Sequence, residues 1–494
     1  MKKNDQQKAE KAVLKLLPKS ELIKLILEKN RIIDELTDRL LKVSKDEDKQ
    51  KIKEINKHVN EPSSKKPEWD KDGNPKPKSK KKCKGKRKKR PGCGNVSKTD
   101  LNPDEVRHLF LNACPDCGTD LSDKEGRKTS GHIVEDIKPP SQKTILTKEI
   151  EESKWCPCCK KLVSSKTELA LPGSDIGLNA VIEMAYLWVM SALSFPKIQS
   201  FMQSFRALQI STAGISKITI RLSDILQPIY DEILNDVKNG TKIWADETGW
   251  RVKGKLWWLW IFANERSAYY WADRTRGGPV VEKLLGEIFY GILIVDGWHA
   301  YKKIVCAKQT CMAHIFRKIR AFIDAYPQYR SVLIFYLRLR KIIRDGEKLQ
   351  KQRSNLNEID FQRSLRSLHQ RLDDLLKRKN PNAILEEVIK KIIRQRENIL
   401  TFVEHEGASH HNNYGEYIIK KGVMKRKMSG GSKSEEGARA YACLQSIAMT
   451  CQLRNISFHR FMKASLVSYI RCGKPILLAE YEASSTKIAV KKAA

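Results

Sequence analysis

Between Leu22 and Val43 the apolar residues Leu22, Ile26, Ile33, Leu36, Leu40 and Val43 fall at alternating spacings of three and four, with Lys29 interrupting one seam position. The period is helical, and it suits either a short, imperfect coiled coil or an amphipathic helix packed on its own chain. A second helical block runs from about Ile176 to Leu234. Within it, Ile198, Met202 and Phe205 lead to a turn, and Ser211 opens a further helix carrying Ile215, Ile218 and Leu222. A serine at that position caps free backbone N–H groups. Helix, turn and helix fit a DNA-reading helix-turn-helix and an ordinary helical hairpin equally well. At Thr241 the period changes to that of strands. Lys242 to Ala245 predicts a short strand ending at Asp246, and Lys255 to Ala263 and Ser267 to Ala272 predict aromatic-rich strands joined by a hairpin at Asn264-Glu-Arg266. Val280 to Phe289 reads as a helix, Gly291 to Val295 as an apolar strand ending at Asp296, and Gln309 to Met312 as a strand before a helix from Ala313 to Ala325. Tyr329 to Glu404 is charged and helical throughout. Beyond it come His410-His-Asn-Asn413, a helix carrying Glu416, a Gly/Ser loop from Ser429 to Ser434, and an apolar helix from Ala438 to Leu453.

Strand, strand, strand, helix, strand is the opening order of a ribonuclease-H-like fold, here interrupted by an all-helical insertion. The fold class expected is therefore multidomain α/β. Its segments are an N-terminal zipper-like helical segment (1–60), a basic linker expected to be disordered (61–100), a cysteine-bearing module (101–165) and a helical, helix-turn-helix-like domain (166–240). The core then follows in two parts, 241–328 and 406–475, around the insertion 329–405, with a tail at 476–494. A length of 494 residues and an apolar share of 40% are enough to bury real cores.

Charge narrows the partners. Lys+Arg number 94 against 58 Asp+Glu, a formal net charge of +36, which points to a polyanion, with nucleic acid first. Lys76 to Arg90 is almost continuously basic, and Lys86, Arg87, Lys88, Lys89 and Arg90 are candidate phosphate contacts. No secretory signal is visible at the start, and the most lipid-like stretch, Gly177 to Pro196, is broken by Glu183. A cytoplasmic, nucleoid-associated protein without a membrane partner is expected.

Two constellations carry chemistry. Cys114 with Cys117, and Cys156 with Cys159, form two C-x-x-C pairs. Their thiolates suit a structural Zn²⁺ in a zinc-ribbon-like module, with Lys143 to Leu146 a strand between them, Cys158 a competing ligand, and redox or buried thiols the other reading. Asp246 and Asp296 each close a predicted strand and would lie about 5 Å apart if those strands are parallel neighbours. With Glu416 they make a hard oxygen donor set for two Mg²⁺ (or Mn²⁺) ions, the arrangement of two-metal phosphoryl chemistry. Glu247 should point to the opposite face. Cys311 and His314 form a C-x-x-H pair without a matching second pair, and His314, Arg317 and Lys318 share a helix face from which they would reach a scissile phosphate. Trp250, Trp257, Trp258 and Trp260 are either base-stacking platforms or, by strand alternation, core.

From Cys114 to Leu466 the chain resembles transposases of the insertion-sequence-66 family, members of the DDE class. The resemblance rests on the order of the two C-x-x-C pairs, "WADETGW" (Trp244 to Trp250), "VDGWHAY" (Val295 to Tyr301), "CMAHIFRK" (Cys311 to Lys318), "NNYGE" (Asn412 to Glu416) and "RKMSGGSKSEEGARAYA" (Arg426 to Ala442). The family pattern commonly has arginine where Tyr417 stands and an acid where His411 stands. The resemblance implies that Asp246, Asp296 and Glu416 are the DDE triad. It implies a metal-dependent transposase that cleaves and joins double-stranded DNA at the terminal inverted repeats of its own element. A homodimer or higher oligomer would pair the two ends, with accessory proteins from the same element. A catalytically silent DNA-binding repressor or domesticated transposase, and a two-metal structure-selective nuclease, are the alternative functions.

Overall fold

The computed structural model describes residues 144–149, 153–158, 160–164, 167–377 and 383–484, together with 28, 32, 120 and 122. The basic run at Lys86 to Arg90 and the candidate ligands Cys114, Cys117 and Cys159 lie outside the described residues, as does the zipper-like segment apart from positions 28 and 32.

Two short strands, β1 (Ser153–Cys156) and β2 (Lys161–Ser164), form an antiparallel hairpin closed by the pairing of Cys156 with Lys161. Cys156, the first cysteine of the second C-x-x-C, therefore ends β1 at the hairpin turn. The strand expected between the cysteine pairs is not formed at 144–149: those residues are in neither helix nor strand, and Ile145 and Leu146 are exposed.

The helices α1 (Leu178–Val189), α2 (Phe195–Arg206), α3 (Thr212–Ile225) and α4 (Gln227–Lys238) follow. Ser211 caps α3 as expected, its hydroxyl accepting from the Gly214 N–H at 3.0 Å. Helix α3 buries Ile215, Thr219, Leu222, Ser223 and Ile225 and leaves Ala213, Lys217 and Asp224 exposed.

The central sheet has strand order β5–β4–β3–β6–β7, with β3 (Lys242–Val252), β4 (Lys255–Ala263), β5 (Ala268–Asp273), β6 (Ile288–Val295) and β7 (Val305–Thr310). β3, β4 and β5 form an antiparallel meander, whereas β6 and β7 run parallel to β3. Strand β4 reads apolar almost throughout because both of its faces are covered. Trp250, Trp257 and Trp260 are core residues; Trp258 is half-buried beneath Arg276. Helix α5 (Gly278–Leu285) is shorter than expected because Gly286, at φ +86, ends it. The predicted strand at Gln309 to Met312 is displaced toward the N-terminus: β7 ends at Thr310, and α6 (Met312–Ala325) starts after the cap residue Cys311.

Beyond α6 come α7 (Arg330–Lys351), α8 (Glu358–Lys377), α9 (Ala383–Ile393) and α10 (Thr401–Glu404). Their apolar faces share one core with Trp244, Ile292, Ile294 and Met312, so this helical stretch closes one face of the sheet. The side-chain amide of Gln309 seals the joint, accepting from the Phe402 N–H at 2.8 Å and donating to the Ile399 carbonyl at 3.2 Å. The chain then returns through α11 (Asn413–Ser429), α12 (Glu435–Leu453) and α13 (Phe458–Cys472). Helix α12 packs on β5 and α3, its apolar residues forming the other core together with those of α1 to α4. Among the described residues, no helix is long and apolar enough to cross a membrane.

Candidate functional site

Register brings the two aspartates together. The parallel pairing of β3 with β6 runs from Lys242↔Ile292 to Trp244↔Ile294 and then stops. Two residues further along each strand stand Asp246 and Asp296. A step of two keeps both on the face of Trp244 and Ile294, and neighbouring strands are about 4.8 Å apart. The strands part beyond this point because β6 ends at Val295 while β3 runs on, so the two acids lie where the sheet opens. Here the expectation needs correction: Asp246 does not end its strand but sits inside β3, which runs on to Val252.

Glu416 arrives from 120 residues later on α11, and the "NNYGE" run explains how. Asn412, wholly buried, donates its side-chain amide to the Ala245 carbonyl at 2.8 Å, and its own N–H points at the Cys311 sulfur at 3.1 Å. These bonds fasten the start of α11 beside Asp246. Gly415 leaves room for the tether, since a Cβ there would meet Asn412 Oδ1 at 2.4 Å. Tyr414 lays its ring 4.8 Å from that of Trp244. Glu416 then begins the helical ladder, its N–H bonded to the Asn412 carbonyl at 2.9 Å.

The charges feel one another. Burial first, then the carboxylates of Glu247, Asp296 and Glu416, hold Asp246 well above the usual carboxylate range. Its carboxylate accepts the Glu247 N–H at 2.9 Å. Helix α6 faces the acids. His314 Nε2 is 3.5 Å and Arg317 3.9 Å from Glu416 Oε1. Burial pushes the His314 imidazole and the Lys318 ammonium down, while Asp296 opposes both shifts. The three basic residues singled out in the sequence thus gather around the acids.

Glu247 lies on the other face, as alternation requires. It is buried, accepts from Arg276 at 2.7 and 2.9 Å and from the Tyr301 hydroxyl at 2.7 Å, and is pushed up to about 7 by burial and by Asp296. Arg276 is itself held between the rings of Trp258 and Trp298, 4.6 and 3.8 Å from their centroids. Asp296 is braced from its own loop by the Trp298 N–H, at 2.8 Å, with Gly297 at φ +87 making that tight turn. Asn412, Gly415 and Tyr301 stand inside the motifs that carry the resemblance, whereas Arg276 stands outside them. The paired asparagines were a signal for the first of them; nothing local marks Arg276.

A sheet that opens between two aspartates, faced by a third acid and a basic helix, has the makings of a transposase core. The sequence model of the family described as "Transposase IS66 family" matches residues 179–440, more than half of the chain, and the chain belongs to that family. Two curated relatives come from Sinorhizobium fredii (strain NBRC 101917 / NGR234). "Uncharacterized protein y4qI" is 26% identical over 262 residues, 47% of this chain and 48% of that protein. "Uncharacterized protein y4jD" is 23% identical over 263 residues, 47% of this chain and 50% of that protein. The chain spans about half the length of the curated relatives it matches.

Proposed function

We propose that this chain is a DDE transposase with a ribonuclease-H-like core, cleaving and joining double-stranded DNA at the terminal inverted repeats of its own element. What supports the reading is the register that sets Asp246 and Asp296 on neighbouring parallel strands, 50 residues apart in sequence, and the Asn412 bond to the Ala245 carbonyl that fastens the helix of Glu416, 120 residues further on, beside them. The donor set fits hard divalent cations: three carboxylates, Asp246 buried and Asp296 and Glu416 half-buried, with a Glu416 Oε1 that has no hydrogen-bond partner among the described residues. Asp246, Asp296 and Glu416 would hold Mg²⁺ or Mn²⁺. Bound there, the ions supply Lewis-acid charge at a phosphodiester and make water or a 3′-hydroxyl a better nucleophile.

The protein's own groups do the rest. His314, Arg317 and Lys318 line the approach on α6 and would orient the phosphate between them and the acids. The Glu247–Arg276–Tyr301 network fixes β3 and the Asp296 loop from behind, so the carboxylates keep their positions when a charged substrate arrives. For the cysteine pairs, the hairpin turn at Cys156 supports the structural Zn²⁺ reading. Dimerisation through 1–60 and accessory proteins remain part of the proposal, and sedimentation of a chain lacking 1–60 tests the former.

The deciding assay supplies element ends, target DNA and Mg²⁺ and scores joined products and nicks. Joined products from the wild type, lost in Asp246→Ala with DNA binding retained, are the expected result. Wild-type-like joining by Asp246→Ala refutes the assignment. Nicks without joining favour the nuclease, and binding without either product favours the repressor.

A further inference from the structure

Cys311 caps the start of α6 and His314 lies in its first turn, while Glu416 reaches them from α11. The Cys311 sulfur, a ring nitrogen of His314 and a carboxylate oxygen of Glu416 all lie within 4.8 Å of one another. The His314 Nε2 to Glu416 Oε1 distance is 3.5 Å, long for a hydrogen bond. It matches the edge of a tetrahedron around an ion with ligand bonds near 2.1 Å, which is about 3.4 Å.

Both ring nitrogens of His314 and Oε1 of Glu416 are sealed from solvent without a hydrogen-bond partner among the described residues. Buried polar groups left in that state are costly and call for an occupant between them. Cys311 adds a buried sulfur at the start of α6, receiving the Asn412 N–H at 3.1 Å; burial pushes its thiol up, so an ion bound there has to displace the proton. A thiolate and a carboxylate together carry the charge that balances one divalent cation.

We propose that Cys311, His314 and Glu416 form a site for one transition-metal ion of the Zn²⁺ class, distinct from the all-carboxylate set on the sheet. Sulfur and imidazole select such an ion over Mg²⁺. Three protein donors leave a fourth position to water. The site rests on the proposed function only through Glu416, which both would use: an ion held by Cys311 and His314 draws Oε1 toward α6. Thiophilic and hard cations then compete for one carboxylate, so Zn²⁺ inhibits cleavage supported by Mg²⁺.

The test uses the full chain, loaded with Co²⁺ or Zn²⁺ alone, with metal counted per chain and cobalt spectra recorded. Other cysteines bind metal too, so the readout is the difference between variants. Cys311→Ser and His314→Gln are each expected to lose one ion per chain. Cys311→Ser should also lose part of the thiolate-to-cobalt charge-transfer band. Asp246→Ala should keep the ion. Equal ion counts in wild type and His314→Gln overturn the proposal, as does loss in Asp246→Ala of the part of the thiolate-to-cobalt band that Cys311→Ser removes. His314→Gln decides the matter alone if Cys311→Ser does not fold. Failure of the transposase reading appears instead as DNA joining by Asp246→Ala, which leaves the ion count unchanged.

Discussion

Lys425 is a buried cation on the helix that carries Glu416. It is 2% exposed, donates to the Leu193 carbonyl and lies 5.4 Å from the centroid of the Trp188 ring. No carboxylate pairs with it among the described residues. Burial pushes its ammonium down from 10.5 to about 7. At 1.36 kcal/mol per pH unit, that drop sets a ceiling of about 5 kcal/mol on the cost of keeping the charge inside. In Lys425→Met the flexible apolar chain fills much the same space, and the Leu193 carbonyl loses its donor at about 1–3 kcal/mol. The net expectation near pH 6.5 is a gain of about 2–4 kcal/mol. The sign follows from proton counting. Between pH 7 and 10.5 the unfolded chain binds the extra proton, so wild-type stability rises with pH across that window. Below it both states are charged and the full cost is present. The advantage of Lys425→Met is therefore greatest near pH 6.5 and fades toward pH 10. Thermal melts of both proteins from pH 6 to pH 10 measure it as a difference, in which titrations common to both cancel. A gap that does not change with pH, or a less stable variant at pH 6.5, refutes the reasoning.

Two further outcomes are expected. Glu247→Ala strands Arg276 between two tryptophans without its carboxylate and should cost about 3–5 kcal/mol; Glu247→Gln, which keeps an acceptor oxygen, should cost less, and equal melting shifts would remove the ion-pair explanation. Gly431 has φ +127, and a Cβ there would meet the Arg251 carbonyl oxygen at 2.2 Å, so Gly431→Ala must break the bonds that tie Ser432 to the end of β3. Its melting temperature should fall well below that of Gly430→Ala, whose Cβ meets nothing within 4 Å; similar melts for the two would show that the contact does not matter.

Sequence pattern located β4 to the residue and the Ser211 cap, because both depend on local composition: a continuous apolar run and a hydroxyl at a helix start. It stopped β3 too early for an equally physical reason. Asp246, Glu247 and Thr248 are polar, and a polar run usually marks the end of a buried strand. Here the strand continues because β4 supplies its ladder, while Arg276 and Tyr301 satisfy Glu247 and Arg426 donates to Thr248 at 2.9 Å. Those partners lie from 29 to 178 residues away. No window along the chain contains them. The helix before β6 was read too long because the apolar period runs on through Ile288 and Phe289, although Gly286 was the available stop signal.

The stretch between the second aspartate and the glutamate shows why an insertion there is compatible with a fixed site. Gln395, near its end, accepts from Thr310 Oγ1 at 2.9 Å and donates to the Gly297 carbonyl at 3.3 Å. It thereby clamps the loop that follows Asp296 to the last residue of β7. The same stretch closes the sheet with its apolar residues and delivers the chain to His410, whose carbonyl accepts the Met312 N–H at 2.8 Å at the start of α6. Asn412 follows two residues later. An added length of chain would be expected to loosen the placement of Glu416, but the closure cost grows only slowly with length. Here it is offset by the contacts that the end of the insertion and the chain just after it make with β7, the Asp296 loop and α6. The spacing of 120 residues is therefore tolerable because the glutamate's position is set by Asn412 against Ala245, and not by the path the chain takes to reach it.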